Sequence, residues 1–155
     1  MRADFLNTSV APPDPSLIPT VDAETPGRFE NREMSWLSFN WRVLEEADNP
    51  RQPLLERVRF LSISGSNLDE FYTVRVAGLR AQARGGIETR SVDGRTPLQQ
   101  LEVIDRDAVA LLQAQQKTWQ ALRAELAEAN IFVVGQSDLT EEDKTRLEPH
   151  FLDQV

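Results

Sequence analysis

Three groups of residues have types and spacings that chemistry could use. The first is Ser66, Asn67, Asp69 and Glu70, directly after Gly65. A helix starting there would converge free backbone N–H groups on one spot, and an Asn amide can both donate and accept. Such a place suits an anion or the polar edge of a ring. The second group is Arg75, Arg80 and Arg84, whose planar donor forks could clamp phosphate. They fall toward a helix C-terminus, however, where cations also simply complement the helix dipole, and that plainer account is preferred. The third is the carboxylate pairs Glu45-Glu46, Asp69-Glu70 and Glu141-Glu142. Adjacent residues point away from each other on a helix, so these pairs are weak candidates for acid and base. His150, the one histidine, stands between Pro149 and Phe151 and reads as a packing residue. The sequence has no P-loop, no dinucleotide fingerprint and no HExxH, so neither a catalytic residue nor a metal site is expected in it.

The elements that would position these residues follow from apolar periodicity. From Asn31 to Asp48, Trp36, Phe39, Val43 and Ala47 recur at steps of three and four, with Leu37 and Leu44 widening the stripe of an amphipathic helix. Pro50 and Pro53 end that helix and open a second over residues 53–63, facing inward with Leu54, Leu55, Val58 and Leu61. Gly65 then predicts a break. Ser66 stands where an N-cap should, with Asp69 three residues on, so a third helix is expected from there with Leu68, Phe71, Tyr72, Val76 and Leu79 buried. Ser66→Ala would on this reading cost about 1 kcal/mol. Spacing alone favours a well-capped core helix without a ligand.

Thr96, Pro97 and Gln99 form a capping box with proline at the first helical position. The apolar seam that follows continues to about Ala129. At 1.5 Å per residue this helix is about 50 Å long, the longest of the set, and its far end is expected to overhang the others. Residues 131–134 read as a short strand closed by Gly135, and a strand needs a neighbour. Thr140 and Asp143 then cap a helix over 141–151, whose Leu147 and Phe151 face calls for a partner. Residues 1–27 hold five of the nine prolines without periodicity and predict a disordered tail. The expected architecture is all-α. An antiparallel bundle of about four helices over 28–130 is followed by the truncated start of a second, α+β domain at 131–155.

Composition narrows the function classes. A net charge of -8 and a pI near 4.7 argue against a nucleic-acid partner. The absence of cysteine excludes thiolate chemistry, disulfides and thiolate metal sites. The apolar runs at 108–112 and 131–134 are far short of the roughly 18 residues of a membrane span, and no secretory signal is visible. A cytoplasmic protein is expected.

Residues 31–48 (NREMSWLSFNWRVLEEAD), 53–63 (PLLERVRFLSI) and 66–79 (SNLDEFYTVRVAGL) together resemble the N-terminal domain of the large bacterial polyphosphate kinase family. The likeness is looser through the long helix and residues 131–155, which resemble the end of that domain and the start of the head domain. Members of the family are about four times longer. The resemblance implies a helical domain roofing the ATP site of an enzyme that moves the terminal phosphate of ATP reversibly onto inorganic polyphosphate through a phosphohistidine. It implies that the histidine and the magnesium ligands lie in domains absent here, and His150 does not match the histidine's motif. Asn67 matches the nucleotide-contacting asparagine of the NLDEF motif, and its amide could pair with an adenine edge. The remaining domains of the same enzyme, and a homo-oligomer, are the implied partners. The alternative is a stand-alone, non-catalytic helical interaction module.

Overall fold

The structure, a computed structural model, describes residues 29–154; the tail expected at 1–27 lies outside the described residues. Helix α1 spans Arg32–Asp48 and begins at Asn31, whose side-chain oxygen accepts from the backbone N–H of Glu33 and Met34. Its inward stripe is Leu37, Asn40, Leu44 and Ala47. This is rotated slightly from the expected one, so Trp36 is half-buried and Phe39 is 47% exposed.

The break at Gly65 does not occur. Helix α2 (Leu54–Glu70) runs through Gly65 and Ser66, passes into a π-helical segment (Phe71–Val76) and continues as α3 (Ala77–Arg84), forming one rod. A single mid-helix glycine costs only about 1 kcal/mol relative to alanine, and the buried residues on either side, Ser64 and Leu68, outweigh that cost. Ser66 is therefore an exposed mid-helix residue and not an N-cap, and no free N–H groups converge beside Asn67. Ser66→Ala is now expected to change stability by less than about 0.5 kcal/mol in denaturant melts. A loss of about 1 kcal/mol would restore the cap.

The π segment has a cause in the pattern of buried residues. Ser64, Leu68, Phe71, Val76 and Leu79 face the core, and the step from Phe71 to Val76 is one residue too long for an α-helical face. A wider turn absorbs the surplus, with Ala77 N–H donating to Tyr72 C=O five residues back.

Helix α4 (Pro97–Glu128) starts with the expected capping box, Gln99 N–H donating to Thr96 Oγ1 at 3.3 Å and Thr96 N–H to Gln99 Oε1 at 3.0 Å. Its seam of Ile104, Ala108, Leu111, Gln115, Thr118, Leu122 and Leu126 is buried. The α2–α3 rod runs antiparallel to both α1 and α4. Arg57 reaches Ala47 and Glu125 near one end, and Tyr72 reaches Asp105 toward the other. Helices α1 and α4 are parallel, tied by the Asn31–Gln100 and Asp48–Thr118 hydrogen bonds. Because the rod is unbroken it is nearly as long as α4. The expected overhang is therefore absent: Leu122 and Leu126 are buried, and Arg57 pairs with Glu125 at 2.6 Å.

Asn130, at φ 59, ends α4 in the left-handed conformation that Asn tolerates, with Ile131 N–H closing on Leu126 C=O at 2.8 Å. Residues 131–134 are exposed and form no strand, since the described residues offer no neighbouring strand to pair with. After a short 3-10 turn (Gln136–Asp138), α5 (Glu141–Gln154) begins at the Thr140–Asp143 cap, and its Leu147 and Phe151 are exposed. The fold is all-α, as the periodicity predicts.

Candidate functional site

The groove that holds Asn67 lies between α1 and the α2–α3 rod. Its apolar wall includes Trp36 stacked on Phe71, ring centroids 4.6 Å apart and planes 9° from parallel; Tyr72, outside the groove's lining, is edge-on to Phe71 at 6.0 Å. Both rings of the stacked pair are supplied by facing helices, and the turn at Phe71 where the rod becomes π-helical sets the ring against Trp36. Half-buried Trp36 leaves part of an aromatic surface open to the groove, the kind of surface on which a planar base can stack.

The rest of the groove is largely polar. Arg32, Glu33, Asn67, Glu70, Arg75 and Gln82 line it, and Arg32 is engaged with Glu33 at 2.8 Å. Arg75 makes no ion pair among the described residues. Asn67 donates through Nδ2 to Asn40 Oδ1 at 3.2 Å, and Asn40 in turn donates through Nδ2 to the backbone carbonyl of Ser64 at 3.0 Å. Gln115 of α4 donates to Ser64 Oγ at 2.8 Å, so a polar line crosses the bundle from α4 to Asn67.

The three arginines are not brought together. Arg75 lines the groove, whereas Arg80 lies over the Tyr72 ring at 5.7 Å and 3.9 Å from Asp105. Arg84 sits in the last turn of α3, where it complements the dipole. Tyr72 donates its hydroxyl to Asp105, and burial first, then the Asp105 charge, push its pKa above the ordinary phenol value. The carboxylate pairs face no common site, and the described residues contain no cluster of His, Asp and Glu able to hold a metal. His150 is exposed on α5.

Asn40 was passed over in the sequence, although a signal was present. An Asn at a position flanked by Leu37 and Leu44 on the buried stripe is a polar group placed in a core, and such groups are retained with partners. The Trp36–Phe71 stack joins two helices and could not be read from either stripe alone.

Residues 29–134 match the family model described as Polyphosphate kinase N-terminal domain. Curated proteins named Polyphosphate kinase are similar to the chain along most of its length. The one from Erythrobacter litoralis is 49% identical over 128 residues, covering 83% of this chain and 18% of its own. The one from Synechocystis is 44% identical over 138 residues, covering 88% and 19%, and the one from Mycobacterium avium 42% over 143, covering 91% and 20%. The chain thus spans about a fifth of the length of these relatives. No solved structure matches it.

Proposed function

Because the chain belongs to the polyphosphate kinase family, we propose that it is the N-terminal part of an enzyme transferring the terminal phosphate of ATP to inorganic polyphosphate. On this reading residues 28–130 are the helical N-terminal domain and 131–155 open the head domain. The transfer is reversible and runs through a phosphohistidine, on domains outside these 155 residues that also hold magnesium. The present part helps to bind the base of ATP. The observation that carries this assignment is Asn67 beside the Trp36–Phe71 stack, an amide next to an aromatic surface in one groove. Arg75, without an ion pair among the described residues, is a positive charge at the same groove available to the anionic end of a nucleotide. No described helix is long and apolar enough to cross a membrane. A cytoplasmic setting, homo-oligomers and contact with the enzyme's other domains belong to the same proposal.

Asn67→Ala in the full-length enzyme is expected to raise the KM for ATP about two- to tenfold, the worth of one hydrogen bond to a neutral base edge, with kcat nearly unchanged. Steady-state kinetics check this. Lost turnover at constant KM would move Asn67 from binding the nucleotide to serving the transition state. The 155-residue chain incubated with radiolabelled ATP should carry no acid-labile phosphate; finding it would overturn the placement of the chemistry elsewhere.

A further inference from the structure

The amide line behind Asn67 has only one consistent direction. A backbone carbonyl can only accept, so Asn40, fully buried against Ser64 C=O, must turn Nδ2 toward it. Its Oδ1 is then left facing Asn67, and an oxygen there can only receive a donor, so Asn67 must present Nδ2 to Asn40. The base of the line is anchored, since the Ser64 hydroxyl is held by Gln115 of α4. A flipped Asn67 would set two amide oxygens against each other in a partly buried place. Asn67 Oδ1 is consequently the atom left over, with no donor bonded to it among the described residues, together with the second Nδ2 hydrogen.

We propose that Asn40 is a positioning residue that locks the Asn67 amide with Oδ1 free for the ligand, making the groove selective for a base that offers an exocyclic amine. The inference rests on the reading that Asn67 binds the base of ATP and deepens it to the atom selected. Adenine brings its 6-amine to Oδ1 and a ring nitrogen to the remaining Nδ2 hydrogen, whereas the same purine without the amine leaves Oδ1 unpaired.

The test compares kcat/KM for ATP and for purine riboside 5′-triphosphate, which lacks only the 6-amine, in the full-length enzyme. Wild type should prefer ATP about two- to tenfold, the range of one hydrogen bond. Asn40→Leu, close in volume but unable to orient an amide, should bring the ratio toward one. A general loss of structure would lower both substrates together and leave the ratio standing. A wild-type ratio of one, or a ratio unchanged in Asn40→Leu, overturns the proposal. The accompanying Asn67→Ala variant separates the two failures. If it leaves the KM for ATP unmoved, the base-binding reading falls and this inference with it; if it raises KM while wild type shows no preference for the amine, this inference alone falls. Should Asn40→Leu not fold, NMR of the 155-residue wild-type chain decides. One of the two Asn67 Nδ2 hydrogens should exchange with solvent more slowly than the other, and two equally fast hydrogens overturn the lock.

Discussion

Phe71→Ala is expected to lower the unfolding free energy by about 3–5 kcal/mol, the largest loss from any single truncation considered. Phe71 is 1% exposed and belongs to the central cluster with Leu37, Leu44, Ile104 and Leu111, so its removal costs the transfer free energy of the ring and leaves a cavity. Relaxation is limited. The ring stands at the junction of α2 and the π segment, in a rod held on one side by α1 and on the other by α4. Its stack on Trp36 and its edge contact with Tyr72 add about 0.5–1.5 kcal/mol beyond area burial. Urea melts of the whole chain measure the effect. A loss under about 1 kcal/mol would mean that the groove wall collapses freely and is not a preformed surface for a base.

Asp93→Asn is expected to cost about 2 kcal/mol at neutral pH and progressively less in acid. Asp93, with a side chain 7% exposed, lies in the loop between α3 and α4 and ties that loop to the start of α1. It accepts from Asn31 Nδ2 at 3.1 Å and from the Ser91 hydroxyl, and pairs with the Arg95 guanidinium. Burial, the largest single influence, pushes its carboxyl up, but the bonds from Ser91, Asn31 and Arg95 and the Arg95 charge together hold it at about 2, below the ordinary 3.8. A depressed folded-state pKa stabilises above the unfolded value. The contribution is complete above pH 3.8 and is lost as pH falls through about 2. At 1.36 kcal/mol per unit this difference gives the figure of about 2 kcal/mol. Denaturant melts of wild type and variant at pH 7, 4 and 2 should converge at the acid end; a gap constant with pH would show that the charge of Asp93 is not the source.

Asn31 explains why this loop matters to the groove. Its oxygen caps α1, while its Nδ2 donates to Asp93, Gln100 and Ser91, so the start of the helix carrying Trp36 is fastened to the loop and to α4. In the sequence that loop reads only as polar and glycine-containing, because the partners lie 60 or more residues apart. The helices were legible where a local rule sufficed. Thr96, Pro97 and Gln99 announce α4, and the steps of three and four through Ile104, Ala108, Leu111, Gln115, Leu122 and Leu126 are buried, whereas Leu98 is turned out to solvent and Thr118 is buried where Trp119, only half-buried, continues the apolar spacing. At Gly65 the local rule misled, since glycine beside a serine resembles a stop and a cap, whereas tertiary burial of Ser64 and Leu68 carries the helix through. Asn67, singled out by the resemblance, lies on a continuous helix, so what it presents to the groove is its side-chain amide and not the cluster of terminal N–H groups expected after a break at Gly65.

The six-residue π segment makes the rod tolerant of a change in gene length at one place only. Losing a codon elsewhere between Leu54 and Arg84 would swing everything on one side of the gap by about 100° around the axis, carrying either Leu68 or Leu79 toward water. Within 71–76 a residue is already in surplus. Deleting Val74, which is 64% exposed, would shorten the step between Phe71 and Val76 from five to four and let an ordinary α-turn close with both side chains still aimed inward. In-frame deletions in the DNA coding for this helix are therefore filtered to six adjacent codons, next to the aromatic wall whose shape they would alter.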